Sequence, residues 1–344
     1  MTNQKRRMPA EWEQQRAVQL TWPHKDTDWA PMLSEITAVY EQMAREISKR
    51  EQLIIVAPKD VRLPHILNAQ CSILNSNDTW ARDHGFITVE IPTPELEDTG
   101  RELLLLDFKF NGWGEKFPAD LDNAINRQLY EQGIVKGTYE SHLDFVLEGG
   151  SIESDGKGTI FTTRCCLMAP HRNQPLSQQE IEERLKEWLG AERVVWLEHG
   201  SLIGDDTDGH IDTLVRIAPN DTLLYIEADD EHPDLLEMER ELQALRTLDG
   251  KPYRLMKLPL PKFYSPLQSE GAGEEASRLP ATYANYLVIN DAVLVPTYAQ
   301  PDLDAEAMRI IGEAFPGRDI VGIDCRAVVQ QHGSLHCCTM QYYD

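Results

Sequence analysis

GTIFTTRCCLMAPHRNQPLSQQEIEERLKEWLGAERVVWLE, from Gly158 to Glu198, carries one complete structural unit. A mostly apolar, β-rich run, GTIFTTRCCLMA, opens it. A polar loop follows, then SQQEIEERLKEWLG from Ser177, whose Ser-x-x-Glu start is the signature of a capping box. ERVVWLE from Glu192 reads as a second strand. The unit is strand, loop, helix, strand.

The same order recurs on both sides. First strands are expected at QLIIVAP from Gln52, ELLLLDFKF from Glu102, TLLYIEA from Thr222 and AVLVPTYA from Ala292. Second strands are expected at SILNSN from Ser72, DFVLEGG from Asp144, YRLMKLPLP from Tyr253 and DIVGIDCRAVV from Asp319. PDLLEMERELQALRTL from Pro233 and LDAEAMRIIGEAF from Leu303 have helical spacing. Five units, with first strands about 50 to 70 residues apart, argue for a radial or stacked α/β repeat. An ordinary open α/β sheet is the alternative. No low-complexity linker divides the chain, so residues 1–344 read as a single domain.

The 344 residues carry 33 Lys and Arg against 57 Asp and Glu, a net charge of −24. Such a field repels nucleic-acid phosphates and anionic membranes and draws in cations. No run approaches the roughly 20 apolar residues of a membrane span. The basic residues near the N-terminus are not followed by the apolar region of a signal peptide. Cysteines at 71, 165, 166, 325, 337 and 338 form no C-x-x-C and include two adjacent pairs, which suits neither a disulfide framework nor a zinc ribbon. A reducing cytoplasm is the expected compartment. The oligomeric state is not legible, and a homo-oligomer stays open.

Reactive residue types follow each second strand: NDTWARDHG (Asn77–Gly85), LEGGS (Leu147–Ser151), GDDTDGHID (Gly204–Asp212), the acidic loop Phe263–Ala281 and HGSLHCC (His332–Cys338). In a circular repeat these loops would meet on one axis. A strand-like His-x-Asp puts His210 and Asp212 on one face, as a general acid/base beside a binding carboxylate. A metal site including Asp206 and Asp208, or a solvated loop, are the alternatives. Trp80 and Asp83 offer an aromatic wall and a carboxylate for a delocalised cation, against a plain surface turn. Gly149 and Gly150 permit a sharp turn from which Glu148 projects. Cys337 and Cys338 alone read as small buried hydrophobes. As a nucleophile, Cys337 needs a low thiol pKa or a substrate that brings positive charge. Alternation along a strand beginning near Leu335 would send the two cysteines to opposite faces.

Taken with WPHKDTDW (Trp22–Trp29), RLPATYANYLVIN (Arg278–Asn290) and GSLHCCTMQ, these motifs resemble the agmatine deiminases and the wider bacterial peptidyl-arginine deiminase-like family. They stand in the family's order and cover almost the whole chain. The resemblance implies the five-bladed, pseudo-fivefold α/β propeller of the guanidino-group-modifying superfamily. It implies Cys337 as nucleophile, His210 as general acid/base, Asp83 and Asp212 as the carboxylates that grip a guanidinium, and Glu148 as the acid holding substrate and histidine. Trp80 is expected at the substrate. No metal and no organic cofactor is implied. The implied substrate is a small cationic guanidine, agmatine, hydrolysed to N-carbamoylputrescine and ammonia. Free or peptidyl arginine is the alternative, and a metal-dependent hydrolase the more distant one. QQHGSLHC carries a single glycine where the family usually has a run, and Cys338 stands where Ile or a similar residue is more usual. Both departures bear on substrate choice.

Overall fold

Small sheets, each built from short apolar strands, make up the computed structural model, which describes residues 6–92, 100–264 and 278–343. β1 (Gln15–Thr21), β2 (Gln52–Ala57) and β3 (Ala69–Ile73) run parallel in that order. A second sheet holds β4 (Ile87–Pro92), β5 (Arg101–Lys109) and β6 (Thr138–Val146). A third holds β7 (Ile152–Ser154), β8 (Thr159–Thr163) and β9 (Arg193–Leu197). The fourth is β10 (Val215–Ala218), β11 (Thr222–Ile226) and β12 (Arg254–Leu258). The fifth is β13 (Leu287–Ile289), β14 (Ala292–Thr297) and β15 (Asp319–Asp324). In these last four sheets the first pair is antiparallel and the second parallel. β16 (Thr339–Tyr343) then pairs antiparallel with β1. The fold is mixed α/β with five small sheets among the described residues.

Parallel neighbours need a crossover, and helices supply it. Gln178–Leu189 joins β8 to β9; Ser177 and Glu180 form the expected capping box, and Gly190 ends the helix in the left-handed region. Asp234–Ala244 and Pro301–Ala314 do the same in the next two sheets. Leu33–Ser48, absent from the expected set, buries Ile36, Val39, Tyr40, Met43, Ala44 and Ile47. Among the described residues, no helix is long and apolar enough to cross a membrane.

Three local expectations are corrected. The strand opening at Gly158 does not run through the cysteines. β9 ends opposite Thr163, and the Thr163 side chain accepts from the Cys166 N–H to start a helical turn, Arg164–Leu167. His210 and Asp212 do not alternate along a strand, because His210 caps the 3-10 turn Ile211–Thr213. Cys337 and Cys338 lie in a turn ahead of β16. The acidic loop Phe263–Ala281 falls mostly, at 265–277, outside the described residues.

Candidate active site

Turns at the ends of the sheets carry the reactive groups. Asp83 sits in the single helical turn Ala81–His84. Its Oδ2 accepts from Trp113 Nε1 at 2.9 Å and its Oδ1 from the Gly150 N–H at 3.2 Å. A Cβ on Gly150 would lie 2.6 Å from His210 Nδ1, 3.0 Å from Asp83 Oδ1 and 3.1 Å from Asp212 Oδ2. Three titratable groups therefore converge on one glycine, and a side chain there would displace them. His210 Nδ1 is 3.7 Å from Asp83 Oδ1. The loop before His210 is folded on itself: Asp205 accepts from the Gly209 N–H at 2.6 Å, and Thr207 Oγ1 from the His210 N–H at 3.1 Å.

Cys337 Sγ lies 3.9 Å from Asp212 Oδ2. Cys338 is fully buried in the core beside Tyr40. Cys337, Asp83 and Trp80 line a pocket with Trp113, Phe117, Asp28, Asp78, Asp205, Asp206 and His332, and no Lys or Arg lines it among the described residues. A Cβ on Gly333 would come within 2.2 Å of the Trp80 ring, so the lone glycine of QQHGSLHC lets this loop press on the indole. His210, Asp212 and Glu148 are fully buried around the pocket floor rather than in its lining.

The structure thus gathers all six expected residues, with Glu148 set further back. Its carboxylate is held by Arg172 Nε at 3.0 and 3.3 Å, while Cys166 Sγ, a His210 ring nitrogen and a Glu148 oxygen all lie within 4.8 Å of one another. Trp113, Arg172, Cys166 and His336 were not singled out in the sequence. Trp113, Arg172 and Cys166 meet the site only through distant chain segments, so no local spacing announces them, whereas His336 directly precedes Cys337 within HGSLHCC.

The charges are set by burial. Burial pushes Asp83 up to about 6; His210 opposes this, and Asp212 and Glu148 reinforce it. Burial also acts upward on Asp212, but the hydrogen bond from His336 and the charges of His336, His210 and Arg216 outweigh it and hold the carboxyl below its usual value. Burial works against a charged His210, yet Asp83, Cys166 and Asp212 raise it well above the usual imidazole value. Burial, then the negative charges of Asp212 and Asp83, push the Cys337 thiol well above its ordinary range. These surroundings disfavour a thiolate at Cys337.

Two clusters have the donor mix of a metal site, Glu148–Cys166–His210 and Glu11–Glu153–His336. In each, a buried arginine already neutralises the carboxylates: Arg172 on Glu148, and Arg216 on Glu11 and Glu153. They are built as ion networks. Asp206, Asp208, His210 and Asp212 form no such cluster among the described residues. Asp208 pairs with Lys116 at 2.7 Å and with Arg172 at 2.6 Å.

Five small α/β sheets with a cysteine, a histidine and paired carboxylates at one pocket mark a class: the chain belongs to the Porphyromonas-type peptidyl-arginine deiminase family, whose model matches residues 7–342. An agmatine deiminase of Pseudomonas aeruginosa (strain LESB58) is 32% identical, over 97% of this chain and 95% of that one. A solved structure from Porphyromonas gingivalis, provisionally assigned as an arginine deiminase, is 49% identical with a TM-score of 0.86 over 99% of both chains. A cysteine-to-serine variant of C. jejuni agmatine deiminase, solved with substrate bound, is 33% identical with a TM-score of 0.84, over 98% of this chain and 96% of that one.

Proposed function

We propose that this chain is an agmatine deiminase, converting agmatine and water to N-carbamoylputrescine and ammonia. The observation that carries the reading is the lining above Cys337: Trp80 and Trp113 beside Asp28, Asp78, Asp83, Asp205 and Asp206, without Lys or Arg among the described residues. Agmatine is cationic at both ends. Carboxylates suit both, and indole faces attract cations. Arginine would bring an α-carboxylate into the same negative field. The agmatine deiminases of P. aeruginosa and C. jejuni among the relatives support the reading.

In this mechanism Asp83 and Asp212 grip the planar guanidinium and keep it charged. Its charge makes the central carbon electrophilic and brings down the pKa of the nearby Cys337 thiol, whose proton passes to solvent. The thiolate attacks the carbon. His210, as imidazolium, delivers a proton to the departing nitrogen, and ammonia leaves an S-alkylthiouronium on Cys337. His210 then takes a proton from water as the oxygen attacks the same carbon; the C–S bond breaks, and the remaining hydroxyl proton passes to the Cys337 sulfur as the ureido carbonyl forms. Such dual acid–base work contributes on the order of 10²- to 10⁴-fold. Glu148 orients His210 from behind. The C. jejuni cysteine-to-serine variant holds its substrate, which supports a cysteine that reacts rather than binds.

An arginine substrate is the second reading, favoured by the P. gingivalis relative at 49% identity. It needs a cation for the α-carboxylate, and His332 is the one described lining residue able to supply it. Ammonia release from agmatine, arginine and a capped arginine peptide separates the two. Turnover of agmatine well above the others is expected; turnover of arginine or the peptide without agmatine overturns the proposal.

The five sheets and the β16–β1 pairing support a closed five-bladed propeller over one domain, residues 1–344, with the site on its pseudo-fivefold axis. Free cysteines at all six positions support a cytoplasmic protein. A homo-oligomer fits the reading equally with a monomer, and light scattering distinguishes them.

A further inference from the structure

Behind Asp212 runs a chain of largely buried charges that the reaction above does not use. His336 Nδ1 donates to Asp212 Oδ2 at 2.6 Å, and His336 Nε2 lies 2.6 Å from Glu11 Oε1. The ring is fully buried. Glu11 comes from the segment ahead of β1; it pairs with Arg216 and, at 3.3 Å, with Arg82. Arg216 also pairs with Glu153 and lies 3.1 Å from His336 Nε2. Neither His336 nor Glu11 lines the pocket. An imidazole with a carboxylate oxygen at each nitrogen needs an N–H at both, which is the imidazolium form. Burial, then the positive charges of Arg216 and Arg82, push the ring below the usual imidazole value against Glu11 and the bond to Asp212, so it is the two carboxylate contacts at 2.6 Å that carry the charged form.

We propose that Glu11 is a positioning residue for the deiminase reaction: through His336 it keeps Asp212 ionised and aimed at the guanidinium, which makes the N-terminal segment part of the site. The inference rests on the role given to Asp212 above. Asp212 is faced by His210, Asp83 and Cys337 toward the pocket and by His336 and Arg216 behind. His336 is faced by Asp212, Glu11, Arg216 and Arg82. In the isosteric variant Glu11→Gln the ring loses one anion and keeps both arginines. It becomes neutral, and Asp212 then takes up a proton at higher pH.

The test is agmatine kinetics of full-length Glu11→Gln and Glu11→Asp from about pH 5 to 9. Glu11→Gln is expected to raise KM about tenfold, with the acid limb of kcat/KM, set near pH 6 by Asp83 in the parent, moved up and steepened as Asp212 titrates beside it, and kcat at alkaline pH within about threefold of the parent. Glu11→Asp, which keeps the charge, should bring the limb part of the way back. A Glu11→Gln enzyme with an unmoved acid limb overturns the proposal, whatever its kcat. Agmatine affinity of Asp212→Asn in a Cys337→Ser background reads the underlying assignment separately: parental affinity removes Asp212 from the guanidinium. If that variant binds poorly and Glu11→Gln keeps its profile, the role of Glu11 alone fails. Should Glu11→Gln not fold, nitrogen-15 spectra of the histidine-labelled parent at about pH 8, above the ordinary imidazole pKa, read His336 directly. Two protonated ring nitrogens support the proposal, and a neutral ring overturns it.

Discussion

At the scale of single residues, the adjacent cysteines have opposite expected fates. Cys337 faces the carboxylates and Cys338 the core. A haloacetamidine carries a planar cation beside an alkylating carbon. It should label Cys337 alone, be slowed by agmatine, and abolish activity in step. Cys338→Ala should keep most turnover and lose about 1 kcal/mol of stability. Peptide mapping of the label on Cys338, or an active Cys337→Ser, would sink the covalent mechanism. Asp83 supplies a second prediction. In the Cys337→Ser background, Asp83→Asn should weaken agmatine binding by about 2 kcal/mol, the worth of one charged hydrogen bond. Because free Asp83 titrates near 6 and the guanidinium needs it ionised, affinity should be full above that pH and fall about tenfold per unit below it. Calorimetry against pH checks both, and a flat profile in the parent would detach Asp83 from the ligand.

Elements separate what holds the fold from what shapes the site. Ser177→Ala removes one half of a capping box on an exposed helix start. It should cost about 1 kcal/mol in denaturant unfolding and leave kcat/KM unchanged. Gly150→Ala should do the reverse, since its Cβ would intrude on His210, Asp83 and Asp212 while the protein still folds. An active Gly150→Ala would mean that these three groups do not work as a unit. The same contrast explains what was legible in the sequence. Strands such as Gln52–Ala57 and helices such as Gln178–Leu189 declare themselves by runs, periodicity and caps. The short antiparallel partners β7, β10 and β13 have only three or four residues, too few for a period to register. Leu33–Ser48 also carries a helical stripe, Ile36, Val39, Tyr40, Met43 and Ile47. At the site, the motifs named Cys337, His210, Asp83, Asp212, Glu148 and Trp80. The turns that bring them together, and partners such as Arg172 and Trp113, arise from contacts between distant segments.

For the molecule as a whole, the net charge of −24 acts at a distance. A dicationic substrate should be drawn toward the aspartate-lined pocket, and salt should screen that pull. KM for agmatine is expected to rise severalfold between about 0.02 and 0.5 M sodium chloride, with kcat nearly constant. An insensitive KM would confine recognition to the close contacts. The pairing of β16 with β1, in which Tyr343 stands opposite Gln15, has a consequence of its own. Where the last strand hydrogen-bonds to the first, the backbone closes a loop in space that the covalent chain leaves open. Joining the two ends with a flexible linker and re-cutting at the exposed turn of Asp249 and Gly250 should give a circular permutant with native activity. In that permutant the turn bearing Cys337 would be made mid-chain, and the order of synthesis would be separated from the order of assembly.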